Sequence, residues 1–416
     1  MSAELTLDQG LDRLGGIVGT EHTRLRGETI VASPADALQI AEALRFARSN
    51  GLTVTPTGSS SKLGWGNPVD ADIELSLTRL QSLREHAWQD MTCTVEAGCA
   101  WDAMQAELCR HGQMVALDPL WCGRATVGGI VATNDSGALR LKFGGLRDLI
   151  LGMTLVLADG TIARSGGKVV KNVAGYDLHK LMTGSLGTLG VIADVNFRLH
   201  PVEKHARTWT VVAPHGASAD PAFFEAPIRA LMDSQLTISS VQLRVTKREC
   251  ALDIRICTLP ECLDEQASRM QSFFGNVALG EADEAVWQAR QRLFDRDGSL
   301  ILKASTLPGE VCSVNSEMQQ WSAEKGCAVE VVAQATGLLT ISVNADSDAA
   351  VALIERLRKR LEPNSGYVVA LRLPDSLRGK IDGWGPAPGA LPLMREIKRR
   401  FDPGRTLSPG RFLGGI

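Results

Sequence analysis

Many of the chain's 41 glycines fall between residues 58 and 190, in short motifs that separate apolar runs. That placement constrains the fold more than any other feature. Glycine costs conformational entropy on folding, so a concentration of it is explained where backbone turns sharply or passes close to a ligand. From about residue 203 the texture changes to amphipathic segments with fewer glycines. A domain boundary near His200-Pro201 follows.

The apolar pattern places these glycines between regular elements. SPADALQIAEALRFARSNG (33 to 51) carries a serine cap, apolar residues at helical spacing and a closing glycine, and predicts a helix. LTVTPT (52 to 57) and IELSL (73 to 77) predict strands on either side of a glycine-rich loop. TCTVEAG (92 to 98) reads as a strand and AWDAMQAELCRHG (100 to 112) as a helix. Residues 149 to 164 predict a hairpin around Asp159-Gly160. Beyond the boundary, strands at 208–213, 238–245, 251–258, 337–344 and 367–374 accompany helices at 262–275 and 349–362. Residues 375 to 392 read as a linker before a short final helix, PLMREIKRRF.

Several function classes are disfavoured by composition. A net charge of -3 gives no electrostatic reason to expect nucleic acid or an acidic membrane as partner. The start, MSAELTLDQG, lacks the basic and apolar pattern of a secretory signal, and no run of about 20 apolar residues spans a bilayer. The expected location is the cytoplasm, with peripheral membrane association only through a partner. The nine cysteines form no C-x-x-C pair, so neither an iron-sulfur centre nor a structural zinc is expected, and no metal site is assigned.

Four glycine-rich stretches carry the chemistry. Pro56 to Gly66 (PTGSSSKLGWG) lies between two predicted strands, and its small residues expose successive backbone N–H groups, a concave anion site suited to a pyrophosphate. A flexible hairpin loop explains it equally well. It is neither a Walker loop nor a Rossmann fingerprint, because no Gly-Lys-Ser/Thr follows at the required spacing and a strand comes next. Ala125 to Gly137 (ATVGGIVATNDSG) could let a flat ring and phosphates lie against main chain; a close-packed glycine helix is the alternative. Gly166 to Asp177 (GGKVVKNVAGYD) and Thr183 to Ile192 (TGSLGTLGVI) complete the set. Each is weak alone; four in this order within one α/β stretch are not.

Together with LRDLILGMTLVLADG (146 to 160) and the C-terminal phrase FDPGRTLSPGRF (401 to 412), these motifs resemble the vanillyl-alcohol-oxidase and p-cresol-methylhydroxylase (PCMH) type FAD-binding family over nearly the whole chain. Within that family, GGKVVKNVAGYD and GSLGTLGVI look most like the FAD-binding E subunits of bacterial glycolate oxidases. The resemblance implies an α+β fold: a two-subdomain PCMH-type FAD-binding domain (1–202), an α+β cap domain (203–385), and a C-terminal segment (386–416) packing on the FAD domain.

The resemblance also implies site residues. Thr57, Gly58, Ser59, Ser60, Ser61, Lys62 and Leu63 are expected to hold the pyrophosphate by backbone amides. Ala125, Thr126, Val127, Gly128 and Gly129, with Ala132, Thr133 and Asn134, are expected along the flavin and ribityl chain. Gly137 is expected to allow close backbone approach, and Gly187, Val191 and Ile192 to line the adenine and dinucleotide side. Lys171 and Asn172 could bond the cofactor or fix their loop, and Tyr176 is expected to be a buried structural hydroxyl. The loops lack the histidine or cysteine of covalent family members, so noncovalent FAD is expected, with Cys122 an inert thiol nearby. Of seven histidines none follows His215, so the body of the cap lacks the histidine metal site of 2-hydroxy-acid dehydrogenases, and the catalytic residue is unknown. The expected role is an FAD-binding subunit of a glycolate oxidase complex, partnered by a catalytic flavin subunit and an iron-sulfur subunit. A self-sufficient FAD-dependent 2-hydroxy-acid dehydrogenase, with carboxylate binding by Arg244, Arg248, Arg255, Arg372 or Arg378, and a structural subunit without flavin are the alternatives.

Overall fold

The computed structural model describes residues 5–167, 175–214 and 220–416. They form two compact units, each assembled from separated stretches of chain.

The first unit draws on the chain up to Ser136, on Gly144–Val202 and on Ala387–Ile416. It holds two sheets. In one, the strands run in the order Thr23–Arg26, Thr29–Ala32, Ile73–Ser76, Val54–Thr57, the last three mutually parallel. The other is antiparallel, in the order Leu83–Ala87, Thr92–Glu96, Val191–Arg198, Ile150–Val156, Ile162–Gly166. The Ala37–Ser49 helix shows why the pattern folds as it does. Ile40, Ala41, Ala43, Leu44 and Ala47 recur on one face and are buried. Each large side chain so buried contributes about 1.5–3 kcal/mol. The cap is Asp36, three residues later than the expected serine, because its carboxylate accepts from Gln39 N at 2.8 Å. The hairpin expected at Asp159-Gly160 is present, with Gly160 at φ +79° and Thr161 N donating to Asp159 Oδ1.

The C-terminal part of this unit extends the first sheet. The Leu391–Phe401 helix leads into an isolated parallel bridge between Leu407 and Val54, where Val54 N donates to Thr406 O and Ser408 N to Val54 O. A buried ion pair fixes this segment. Lys398 Nζ donates to Asp402 Oδ2 (2.6 Å), Thr188 O (2.7 Å) and Leu407 O (2.9 Å). Asp402 in turn accepts from the N–H groups of Thr406 and Leu407.

The second unit comprises Gly137–Phe143 and Glu203–Pro386. Its eight-stranded antiparallel sheet runs Gly280–Ala282, Ala206–Val212, Cys250–Cys257, Ile238–Val245, Ala328–Gln334, Leu338–Asn344, Leu300–Ser305, Tyr367–Arg372. Alternation separates its faces: Leu252, Ile254 and Ile256 enter the core with helices Val311–Lys325 and Ser347–Leu361, while Asp253 and Arg255 point the other way. Residues 137–143, which a boundary near residue 202 assigns to the first domain, pack here instead, because Leu141 lies against this core.

Candidate cofactor site

The loop after the Val54–Thr57 strand is pinned at its base, where Thr57 Oγ1 donates to Glu74 Oε1 at 3.0 Å and Glu74 pairs with Arg26. It then turns sharply, with Ser60 in the left-handed region at φ +57° and Leu63 N donating back to Ser60 O. Among the described residues, the N–H groups of Ser59, Ser60 and Ser61 donate to no protein acceptor. A reversal of backbone hand that leaves successive N–H groups bare makes an anion-binding concavity. The loop's lysine takes no direct part in this. Lys62 Nζ donates inward to Leu120 O at 2.9 Å, lies 3.5 Å from Asp135 Oδ2, and sits over the rings of Trp65 and Trp121.

The second wall is the short Val127–Thr133 helix, capped by Thr126. Gly128 N donates to Ala97 O at 2.7 Å, and a side chain on Gly128 would begin 2.8 Å from Ala97 Cβ. Gly58 is tighter still: its added Cβ would stand 2.1 Å from Thr126 Oγ1. Loop and helix thus meet main chain to side chain only because both positions are glycine. The third wall docks on this helix through Gly184 N to Val131 O and Leu186 N to Ala132 O, and Gly187 holds φ +75° there.

Between these walls opens a cleft. Of the residues expected from sequence, Thr57, Gly58, Ser59, Ser60, Ser61, Lys62, Leu63, Thr126, Gly128, Gly129, Ala132, Thr133, Gly187 and Ile192 line it. Ala125, Val127, Asn134, Gly137 and Val191 do not. Helical and strand periodicity explain the split. Gly128, Gly129, Ala132 and Thr133 share one helix face, while Val127 turns into the core and Asn134 ends the helix in the left-handed region. Ile192 faces the cleft, so its neighbour Val191 enters the core. Ala125 is core as well, and Gly137 belongs to the second unit.

Pro56, Leu77, Ala97, Leu186, Gly190 and Arg411 also line the cleft; none is an expected contact residue, although Pro56, Leu186, Gly190 and Arg411 lie within the motif stretches. Arg411 is the consequential one, because it is charged and buried. Its signal was present in the C-terminal phrase ending Ser408-Pro409-Gly410-Arg411.

Other expectations resolve individually. Tyr176 is 91% exposed rather than buried. It lies just before the Leu178–Met182 helix, where its main-chain oxygen accepts from Ser165 Oγ and from Leu178 N. Lys168, Lys171 and Asn172 lie outside the described residues. Cys122 does not line the cleft; its thiol donates to Pro119 O and burial pushes its pKa up to about 11. In the second unit, Arg244 grips Asp253 with Nε and Nη2, Arg372 donates to the carbonyls of Phe294, Arg296 and Ser299, and Arg378 pairs with Asp375. Arg255 lies between Glu203 and Glu284, and Arg248 is exposed. Four of these five are therefore engaged structurally. Among the described residues no His, Cys, Asp and Glu cluster could hold a metal, and no helix is long and apolar enough to cross a membrane.

The cleft fits a flavin dinucleotide on its own chemistry. Bare N–H groups and a buried guanidinium suit a pyrophosphate, and a wall of glycine and alanine, whose Cβ positions are closed to larger residues, suits a flat ring. Known proteins agree. Residues 29–166 match the FAD binding domain family. An uncharacterized FAD-linked oxidoreductase of Mycobacterium tuberculosis is 26% identical over 92% of this chain and 90% of its own length. Glycolate oxidase subunit GlcD of Bacillus subtilis is 32% identical over 43% of this chain and 38% of its own. The solved structure of p-cresol methylhydroxylase with substrate bound superposes with a TM-score of 0.74, at 15% identity, covering 99% of this chain and 97% of that one. The chain thus has the fold of the p-cresol-methylhydroxylase type flavoenzymes, and its residues 29–166 match the FAD binding domain family.

Proposed function

We propose that this chain is an FAD-dependent oxidoreductase of the 2-hydroxy-acid dehydrogenase type that works as the FAD-binding subunit of a glycolate oxidase complex. The observation that carries the FAD reading is the juxtaposition of the bare N–H groups of Ser59, Ser60 and Ser61 with the glycine wall of the Val127–Thr133 helix. The loop holds the diphosphate, Gly128 and Gly129 admit the ring to main-chain distance, and Thr126 and Thr133 present hydroxyls to the cleft. Bound FAD supplies a two-electron acceptor for oxidation of a carbon bearing hydrogen. Retention is noncovalent, since Cys122 lies off the cleft with its thiol kept neutral.

The supporting-subunit role rests on what the second unit offers. Four of its five candidate arginines, Arg244, Arg255, Arg372 and Arg378, are turned to structural partners, and the sequence has no histidine beyond His215 to take a hydroxyl proton. A catalytic flavin subunit and an iron-sulfur subunit complete the chemistry. The test is to purify the chain with and without co-expressed partners, measure flavin released by acid, and follow anaerobic bleaching by glycolate and lactate. Released FAD with little bleaching by the isolated chain is the expected result. Robust turnover without partners refutes the supporting role, and a colourless protein that cannot be reconstituted refutes the FAD reading.

A further inference from the structure

Trp121 occupies the left-handed region at φ +58°, a conformation that crowds any residue with a Cβ and is rare for a bulky one. Strain of that kind persists only where the surroundings over-determine it, and it collects at ligand clamps. Here those surroundings are specific. On the residue before it, Leu120 N donates to Asp135 Oδ2 (2.7 Å) and Leu120 O accepts from Lys62 Nζ (2.9 Å). Trp121 O itself accepts from Arg124 N (2.9 Å) and Ala125 N (2.8 Å). Its ring lies against that of Trp65, with centroids 6.3 Å apart, and takes the Lys62 ammonium at 5.3 Å and the Arg124 guanidinium at 5.0 Å.

Lys62 joins this turn to the cleft. Its main chain belongs to the serine loop, where its carbonyl accepts from Trp65 N. Its ammonium lies 3.5 Å from Asp135 Oδ2, with both side chains 3% exposed. Buried partners of opposite charge are costly to separate. The strained turn and the loop therefore cannot shift independently. Resting on the reading of this cleft as the FAD site, we propose that Lys62 is a positioning residue. Turned inward with Asp135, it bolts the serine loop to the Trp121 turn, so that the Ser59–Ser61 amides stand in their anion-binding shape before FAD arrives. The gain is preorganisation. A loop that holds its binding shape only a tenth of the time binds about tenfold more weakly.

The test uses the full chain stripped of flavin. FAD affinity is read by flavin fluorescence, and deuterium uptake over residues 57–66 is followed in the apo protein, both at a temperature where each variant stays folded. Wild type binds FAD if the cleft reading holds, and failure at that point refutes the cleft reading rather than the role of Lys62. Lys62→Met should weaken FAD about tenfold or more. It should also raise deuterium uptake over 57–66, where the bonds from Leu63 N to Ser60 O and from Trp65 N to Lys62 O report the loop. Asp135→Asn should do the same. A lysine serving as a charge on the diphosphate predicts the opposite sign there, since removing a neighbouring negative charge would tighten FAD. Unchanged or tighter binding in Asp135→Asn overturns the proposal, as does unchanged binding in Lys62→Met or weaker binding with wild-type deuterium uptake. Should either single variant not fold, the double variant Lys62→Met/Asp135→Asn decides, because it leaves neither charge of the pair buried without the other. Weaker FAD with higher uptake is expected of it, and wild-type affinity or uptake overturns the proposal.

Discussion

Replacing Gly58 by alanine tests the central geometry of the cleft. The added methyl would begin 2.1 Å from Thr126 Oγ1 and 3.1 Å from both Thr126 Cβ and Cγ2. A carbon and an oxygen in contact need roughly 3 Å or more, so loop and helix cap must separate by about 1 Å. Overpacking of this kind costs about 1–3 kcal/mol, and the displaced groups are the amides that face the cofactor. FAD affinity should therefore fall roughly tenfold to hundredfold by fluorescence titration. The origin can be isolated by a cycle. Thr126→Ala removes Oγ1 and Cγ2, leaving a single approach of 3.1 Å that a shift of a few tenths relieves. Its own cost is the cap to Gly129 N, a long 3.4 Å bond, and is at most about 1 kcal/mol. The double variant should bind FAD better than Gly58→Ala alone, a coupling of about 1 kcal/mol or more. Wild-type affinity in Gly58→Ala, or additivity in the cycle, refutes the steric argument.

Asp402→Asn should destabilise the chain by about 3 kcal/mol in urea unfolding, since it leaves the Lys398 ammonium buried without a counter-charge; a loss under about 1 kcal/mol contradicts this. Cys122 should react with a thiol reagent at pH 8 roughly a hundredfold more slowly than an ordinary thiol, because a pKa raised to about 11 keeps it neutral until far above that pH; exposed Cys109 serves as the reference within the chain. His179 is buried against Ser165 Oγ, and burial lowers its pKa below the ordinary 6.5. The unfolded chain then binds the extra proton first, so stability falls as pH drops below about 6.5 and levels off beneath the folded-state pKa. His179→Gln should flatten that part of the stability profile, and an unchanged slope assigns the effect elsewhere.

Periodic segments were legible and mixed ones were not. The Ala37–Ser49 helix announces itself because its buried positions are apolar. The Val311–Lys325 helix escaped because Cys312, Asn315 and Ser322 stand among its buried residues, so its core face does not read as apolar. In the site, a contiguous motif identified the right wall but could not say which side chains face the cleft; Val127 and Gly128 are neighbours with opposite fates. Lys62 illustrates a second limit, since a lysine in an anion loop turned inward to Leu120 O and Asp135. Arg411 illustrates a third: its distance in sequence from Leu63 hides a contact that only the folded chain makes.

The division of the first unit into three stretches of chain has a consequence for biosynthesis. A ribosome that has made residues 29–166 has produced the glycine loops but neither the Val191–Arg198 strand nor the segment that bridges to Val54. The nascent cleft lacks both Ile192 and Arg411 at that stage. Flavin loading therefore belongs to the end of translation, and an excised fragment ending near residue 166 should emerge as colourless protein even though it spans the whole matched domain.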